Sequence, residues 1–347
     1  MTPNRIPPLT KTSTVNKQTV NLSPQLKLVE VEMALVEALL RSNLIDENAY
    51  IEKLLEQIFI SGGKRIRPLL ALLVSKACFN SDFYFSRNHI IHASLAELIH
   101  TASLVHDDVI DNADLRRGKT TLNHAKSDKL AVLMGDLLFA QASVCLSRLM
   151  YPEIVGIYGQ VLGDLCSGEI KQMLSAFNTD ITLDLYIDKT IGKTASLFSA
   201  ATTGGAIINQ VSNHILVNLK QFGLNLGICF QIVDDLLDLI GNAKDLGKPL
   251  GNDLLNGVIT APAIFVLNQK DDTAQTLKAL IENQSVTELA NLEKARQIIL
   301  NTDAINKTIK LADKYAKLSL ANLDVLPDSQ YKEALKQIVN QILSQVD

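Results

Sequence analysis

From about Ser23 onward, apolar residues recur at three- and four-residue spacing, most regularly around Ala93-Ser94-Leu95-Ala96-Glu97-Leu98-Ile99-His100, and this spacing predicts helices almost throughout. Segments of alternating β-branched residues between turn pairs are missing, so the expected class is all-α. Neither glycine nor proline interrupts Leu69 to Arg117, which predicts helices of about twenty residues or more there. Breaks are expected at Gly62-Gly63, Gly118, Gly135, Tyr151-Pro152, Gly204-Gly205 and Gly247-Lys248-Pro249. No period typical of solenoids repeats along the chain.

Within this helical pattern, two clusters of three aspartates stand in largely apolar surroundings: Asp107-Asp108-Val109-Ile110-Asp111 and Asp234-Asp235-Leu236-Leu237-Asp238. Positions i and i+4 share a helix face, so Asp107 with Asp111, and Asp234 with Asp238, would each present two carboxylates in one direction. Like charges held that close raise one another's pKa unless a cation lies between them. Hard carboxylate oxygens suit magnesium, which takes one or two of them and completes its octahedron with water and substrate phosphates. One such triplet is ordinarily a solvated helix face. Two copies, each following an apolar run, predict two helices facing one cavity, because carboxylates are almost never buried without partners.

Composition narrows the partner. The 347 residues are 47% hydrophobic with a formal charge of −4, enough for a large core and no support for binding nucleic acid. No apolar run is read as reaching the 18 or so residues that span a bilayer, so no transmembrane segment is expected and the body is read as cytoplasmic, or of the plastid stroma in an alga or plant. Cys78, Cys145, Cys166 and Cys229 form no CxxC pair, which argues against zinc and against a disulfide framework. The first 29 residues contain Arg5, Lys11, Lys17 and Lys27 and no acid. Residues 1–22 are read as a flexible arm and 23–347 as the helical domain. An organelle-targeting peptide is the alternative for the arm, weakened by its single arginine and few serines.

Cations flank the acids. Gly62-Gly63-Lys64-Arg65-Ile66-Arg67-Pro68 places Lys64 and Arg67 at a predicted helix start, where free N–H groups also favour an anion. Arg116-Arg117 follows the first cluster; arginine forks match phosphate oxygens, although a helix C-terminus attracts cations without any ligand. Lys193-Thr194 and Lys248 add further candidates, and His100 lies two turns before Asp107 on the same predicted helix.

Taken in order, Gly62 to Pro68, the first aspartate cluster running into Leu115-Arg116-Arg117-Gly118, Gly192-Lys193-Thr194, and Phe230-Gln231 leading into the second cluster make the chain resemble the trans-isoprenyl (polyprenyl) diphosphate synthases from roughly Leu28 to its end. The resemblance implies the isoprenoid synthase fold, a single bundle of long, mostly antiparallel helices around a deep central cavity, as a homodimer. It implies magnesium as cofactor, about two or three ions per site, with Asp107, Asp111 and Asp234 as metal ligands and Asp107, Asp108, Asp111, Asp234, Asp235, Asp238 and Lys193 as catalytic residues. It also implies that Lys64, Arg67, His100 and Arg117 bind isopentenyl diphosphate, and that Arg116, Lys193, Thr194, Gln231 and Lys248 bind an allylic diphosphate. The implied reaction ionises the allylic C–O bond, adds the alkene of isopentenyl diphosphate and loses a proton.

The stretch His100 to Asp108, with Gly135-Asp136-Leu137-Leu138-Phe139-Ala140-Gln141 and Thr260-Ala261-Pro262, most resembles the solanesyl-type synthases of cyanobacteria and plastids. Aromatic residues just before the first cluster act in the family as a floor to the growing chain. Here Ala102 and Ser103 are small and are read as facing the cavity, which implies a product of about C40–C50 for quinone side chains, with Ala102→Phe expected to shorten it. A floor elsewhere, and a shorter farnesyl or geranylgeranyl product, is the alternative. Two departures from the family are Val258, where many members carry a lysine, and the non-basic ending Ser344-Gln345-Val346-Asp347. A terpene cyclase typically has a different second metal motif, and a non-catalytic subunit of a heteromeric synthase usually lacks the aspartates or the isopentenyl site; both motifs are complete here.

Overall fold

The structure, a computed structural model, describes residues 21–42, 48–60, 63–79, 84–116, 118–241 and 250–346. The helices are α1 Ser23–Lys27, α2 Glu30–Ser42, α3 Ala49–Ile60, α4 Ile66–Ala77, α5 Arg87–Ile110, α6 Leu122–Ala125, α7 Asp128–Leu149, α8 Pro152–Leu174, α9 Leu183–Thr190, α10 Ser196–Ile208 and α11 Asn213–Ile240. Then follow α12 Asn252–Leu255, α13 Ala261–Leu267, α14 Asp272–Glu282, α15 Leu289–Leu300, α16 Ala304–Ala321 and α17 Gln330–Leu343. The all-α expectation holds, apart from a two-residue hairpin in which β1 Leu115–Arg116 pairs antiparallel with β2 Lys119–Thr120. Solvent-facing residues turn here on Gly118, at φ +76°, a conformation that glycine adopts without strain. Arg116 therefore sits on a hairpin and not on the helix end expected from the sequence.

The bundle is built around α10, whose small residues are buried on nearly every side. It runs antiparallel to α11: Ala195 lies against Gly227, and the Thr202 hydroxyl donates to the Leu219 carbonyl at 2.8 Å. Against α4 it runs parallel, since Arg67 packs on Phe198 while Asn209 donates to the Ser75 carbonyl at 2.8 Å. Other buried hydroxyls are satisfied within their own helices, as where Ser75 donates to the Ala71 carbonyl at 2.7 Å.

Two expected breaks do not occur. Gly135 lies inside α7 and Gly204-Gly205 inside α10. A methyl group on Gly135 would overlap the His106 ring, and one on Gly204 would overlap the His92 ring. The missing side chains admit those rings between helices instead of ending a helix. The uninterrupted Leu69–Arg117 stretch, conversely, holds two helices: α4 stops at Ala77, and α5 starts at Arg87 behind Ser86, whose hydroxyl and backbone both engage His89 Nδ1. Composition without glycine or proline permits a helix but does not forbid a cap.

Only the expectation about apolar run length needs correction: by length and composition alone α7 would reach across a bilayer, its most apolar 18-residue window having a mean hydropathy of 1.7. It packs along α5, and 33% of that window is buried. The exposed apolar remainder includes Leu133 and Val144. Residues 1–20 of the expected N-terminal arm lie outside the described residues; α1 begins at Ser23.

Candidate active site

A cavity of about 420 Å³ opens between α5, α8, α9, α11 and the segment that carries α12. α5 supplies Asp107 and Asp111 to one wall, together with His100 and Ser103, while α11 supplies Asp234, Asp235 and Gln231 to another. Among the described residues no three His, Cys, Asp or Glu side chains are grouped closely enough to hold a metal by themselves. The donor set nevertheless fits magnesium, whose shell takes few carboxylates and is completed by water and phosphate. Burial pushes the Asp107 carboxyl up to about 6, with Lys193 opposing the rise and Glu169 and Asp111 adding to it. A divalent cation would reverse that shift.

Each cluster divides its labour. In the first, Asp108 is turned onto the hairpin and accepts from Arg116 Nε at 2.6 Å. In the second, Asp235 is buried and accepts from Tyr186 Oη at 2.6 Å and from Gln231 Nε2 at 2.8 Å. Gln231 in turn accepts from Thr194 Oγ1 at 2.6 Å, so a single hydrogen-bond chain ties α9, α11 and the helical turn between α9 and α10 together. Burial raises Asp235 to about 6 against those hydrogen bonds, with Asp234 adding to the rise. Asp238 does not share the cavity with Asp234. One turn further along the same face, the segment that carries α12 lies over the helix, and Asp238 Oδ2 accepts from the Asp253 N–H at 3.1 Å. Shared helix phase put the two carboxylates on one side, but the cavity ends between them.

The lysine wall owes its geometry to a wide turn. Ile191–Ala195 is π-helical, an arrangement common at functional sites, and continues α9 into α10. Gly192 lets α8 approach this turn closely, since a methyl group there would crowd the Asp164 carbonyl, and Gly168 packs beside the Lys193 backbone. Across that contact Lys193 Nζ pairs with Glu169 at 2.8 Å. Burial works against the Lys193 ammonium, but Glu169 and then Asp107 outweigh it and hold its pKa above the usual lysine value.

At the amino end of α4, Arg65 sits at φ 49° and bridges Glu37 at 2.7 Å and Glu97 at 2.6 Å. This pairing fixes the turn that presents exposed Lys64 and buried Arg67; Arg67 lines the cavity and stacks over the Phe198 ring at 4.5 Å. His100 reaches both the main cavity and a smaller one of about 90 Å³ lined also by Arg65, Glu97 and Arg116. Arg117 and Lys248 lie outside the described residues. Ser103 lines the main cavity, with its hydroxyl donating to the His100 carbonyl at 2.9 Å. Ala102 is wholly buried, correcting the expectation that both residues face the cavity. At about 100° per residue, five positions place it roughly 140° round the helix from Asp107.

Residues 48–299 match the polyprenyl synthetase family. The chain belongs to that family. It is 43% identical over 303 residues to a chloroplastic solanesyl diphosphate synthase 2 of Arabidopsis thaliana, covering 87% of this chain and 72% of the relative. Among solved structures, a decaprenyl diphosphate synthase of Rhodobacter capsulatus superposes with a TM-score of 0.87 at 31% identity, covering 94% of this chain and 100% of the other. A polyprenyl synthase of Caulobacter crescentus complexed with calcium and isoprenyl diphosphate superposes with a TM-score of 0.88 at 29% identity, covering 94% and 99%. This polyprenyl synthetase is a prenyltransferase with the isoprenoid synthase fold.

Four cavity or cavity-support residues escaped the sequence reading: Tyr186, Lys189, Glu169 and Asp253. Glu169 and Asp253 stand singly in ordinary helical sequence, where an acid signals nothing. Tyr186, Lys189 and Lys193 recur at three- and four-residue spacing, a pattern that was available but looked like any amphipathic helix.

Proposed function

We propose that this polyprenyl synthetase is a long-chain polyprenyl diphosphate synthase that condenses isopentenyl diphosphate head-to-tail with an allylic diphosphate, giving an all-trans product of solanesyl type for the tails of membrane quinones. The observation that carries this reading is the pair of acid-bearing helices facing one cavity whose third wall is lined by lysines. Magnesium held by Asp107, Asp111 and Asp234 would draw charge from the departing diphosphate. Lys193, kept protonated by Glu169, meets the same oxygens, and the Thr194–Gln231–Asp235–Tyr186 chain holds the opposite wall in place. Arg116, oriented through Nε by Asp108, supplies an arginine fork at the hairpin side. Lys64, Arg67 and His100 take the isopentenyl diphosphate, and Ser103 and Leu104 line the start of the path for the growing chain. The allylic C–O bond breaks with its electron pair passing to diphosphate, the alkene forms the new C–C bond, and a proton leaves to the released pyrophosphate. Apolar walls keep water from the cation.

A second copy of the chain is the proposed partner. Leu133 and Val144 on α7 are 56% and 48% exposed, and Ile170 and Met173 on α8 are 58% and 61% exposed. A homodimer would cover them, and light scattering should give twice the chain mass. We place the enzyme in the plastid stroma for a plant or algal source and in the cytoplasm otherwise.

The purified chain, given isopentenyl diphosphate with farnesyl or geranylgeranyl diphosphate, should form a product of about C40–C50 only when magnesium is present, as read by mass spectrometry. A C15 or C20 product would overturn the long-chain reading, and no product from any primer would favour a non-catalytic subunit.

A further inference from the structure

The two lysines on the cavity wall do not face the same acids. Lys193 lies closest in electrostatic terms to Glu169, Asp107 and Asp111, on the side of the first cluster. Lys189, one turn earlier, is coupled most strongly to Asp235, with Asp253 also attracting it, on the side of the second. Both line the main cavity. Lys193 is committed to Glu169 at 2.8 Å, whereas among the described residues Lys189 makes no hydrogen bond or ion pair. Asp235, the acid that attracts it most strongly, already has both oxygens engaged by Tyr186 and Gln231. Val258, which also lines the cavity, is apolar and supplies no cation.

A lysine ammonium has three donors and is strongly hydrated, so withdrawing it into a cavity without a partner is unfavourable unless an anion arrives. The anion that the site is built to receive carries oxygens on both sides, one side toward each acidic cluster. Resting on the function proposed above, we propose that Lys189 is a direct contact of the allylic diphosphate, gripping it from the second-cluster side as Lys193 does from the first. When the C–O bond breaks and both electrons pass to the diphosphate oxygen, Lys189 stabilises that negative charge until the pyrophosphate leaves and frees the position for the diphosphate of the lengthened chain. The fold supports this division: Tyr186, Lys189 and Lys193 follow one another along one face of α9 and the π turn, with Tyr186 anchoring that face to Asp235.

The test compares wild type with Lys189→Met and Lys189→Arg. Inorganic pyrophosphate with magnesium is titrated calorimetrically, and KM is measured separately for the allylic and isopentenyl substrates. Lys189→Met should weaken pyrophosphate binding on the order of tenfold and raise the allylic KM similarly, while leaving the isopentenyl KM and the thermal midpoint near wild type. Lys189→Arg should recover most of both losses. Wild-type affinity for pyrophosphate in Lys189→Met, accompanied by a lowered melting temperature, would reduce Lys189 to a counter-charge for Asp235 and overturn the inference alone. A wild-type protein that neither binds pyrophosphate nor forms product would overturn the parent function, and the inference with it.

Discussion

Asp107→Asn is expected to lose turnover by about a thousandfold or more while making the metal-free protein more stable at neutral pH. The two effects have one cause. Asp107 is held in a half-buried wall beside Glu169 and Asp111, and burial raises its carboxyl from 3.8 to about 6. A carboxyl whose pKa is higher in the folded than in the unfolded chain favours folding while protonated and loses that advantage as pH rises through the folded value. Below pH of about 4 it is protonated in both states and asparagine brings no gain; above about 7 the full burden of the buried charge is present, on the order of 2 kcal/mol. The melting difference between Asp107→Asn and wild type in chelator should therefore be near zero at the acid end and grow between those limits. Asp235 titrates over the same range in both proteins, so the difference isolates Asp107. Magnesium with pyrophosphate should stabilise wild type strongly and the variant weakly. Asp234→Ala should match the loss of turnover. Retained turnover in either variant would remove the metal clamp from the mechanism.

The second large effect concerns product size. Ser103→Phe is expected to move the product toward C15–C20 with turnover preserved, because the ring enters the cavity one turn below Asp107, where the tail must pass. Ala102→Phe is expected to behave differently from its sequence-based expectation. Ala102 has no cavity exposure, so an aromatic ring there overpacks the interior and destabilises the fold by about 1–3 kcal/mol. Mass spectrometry of products and thermal melts of both variants separate the cases. A folded Ser103→Phe enzyme making the wild-type length would place the floor elsewhere in the cavity.

These variants also mark how far the sequence could be read. The acidic clusters were legible because charge in an apolar run demands a chemical reason, and the helical class was legible from spacing. What helix phase could not reveal was where the cavity stops: Asp238 shares a face with Asp234, yet the backbone of Asp253 covers it. Nor could it show that Asp108 serves Arg116, since the hairpin that brings them together interrupts the expected helical run. Gly135 and Gly204 looked like breaks because glycine ends helices often, whereas here two imidazole rings on another helix require their small size. In each case the missing information lay in a second segment far away in the chain.

The π-helical turn at Ile191–Ala195 has a bearing on engineering and on evolution by insertion and deletion. The wide turn takes up about one residue more than an α turn, so the helix on either side keeps nearly the same face. Removing a single residue there would regularise the helix and leave Tyr186, Lys189 and α10 close to their present faces, but it would undo the fit of Gly192 against the Asp164 carbonyl beside which Lys193 meets Glu169. A one-residue deletion, normally tolerated in a surface loop, would at this position leave a folded protein whose Lys193 has lost its hold on Glu169.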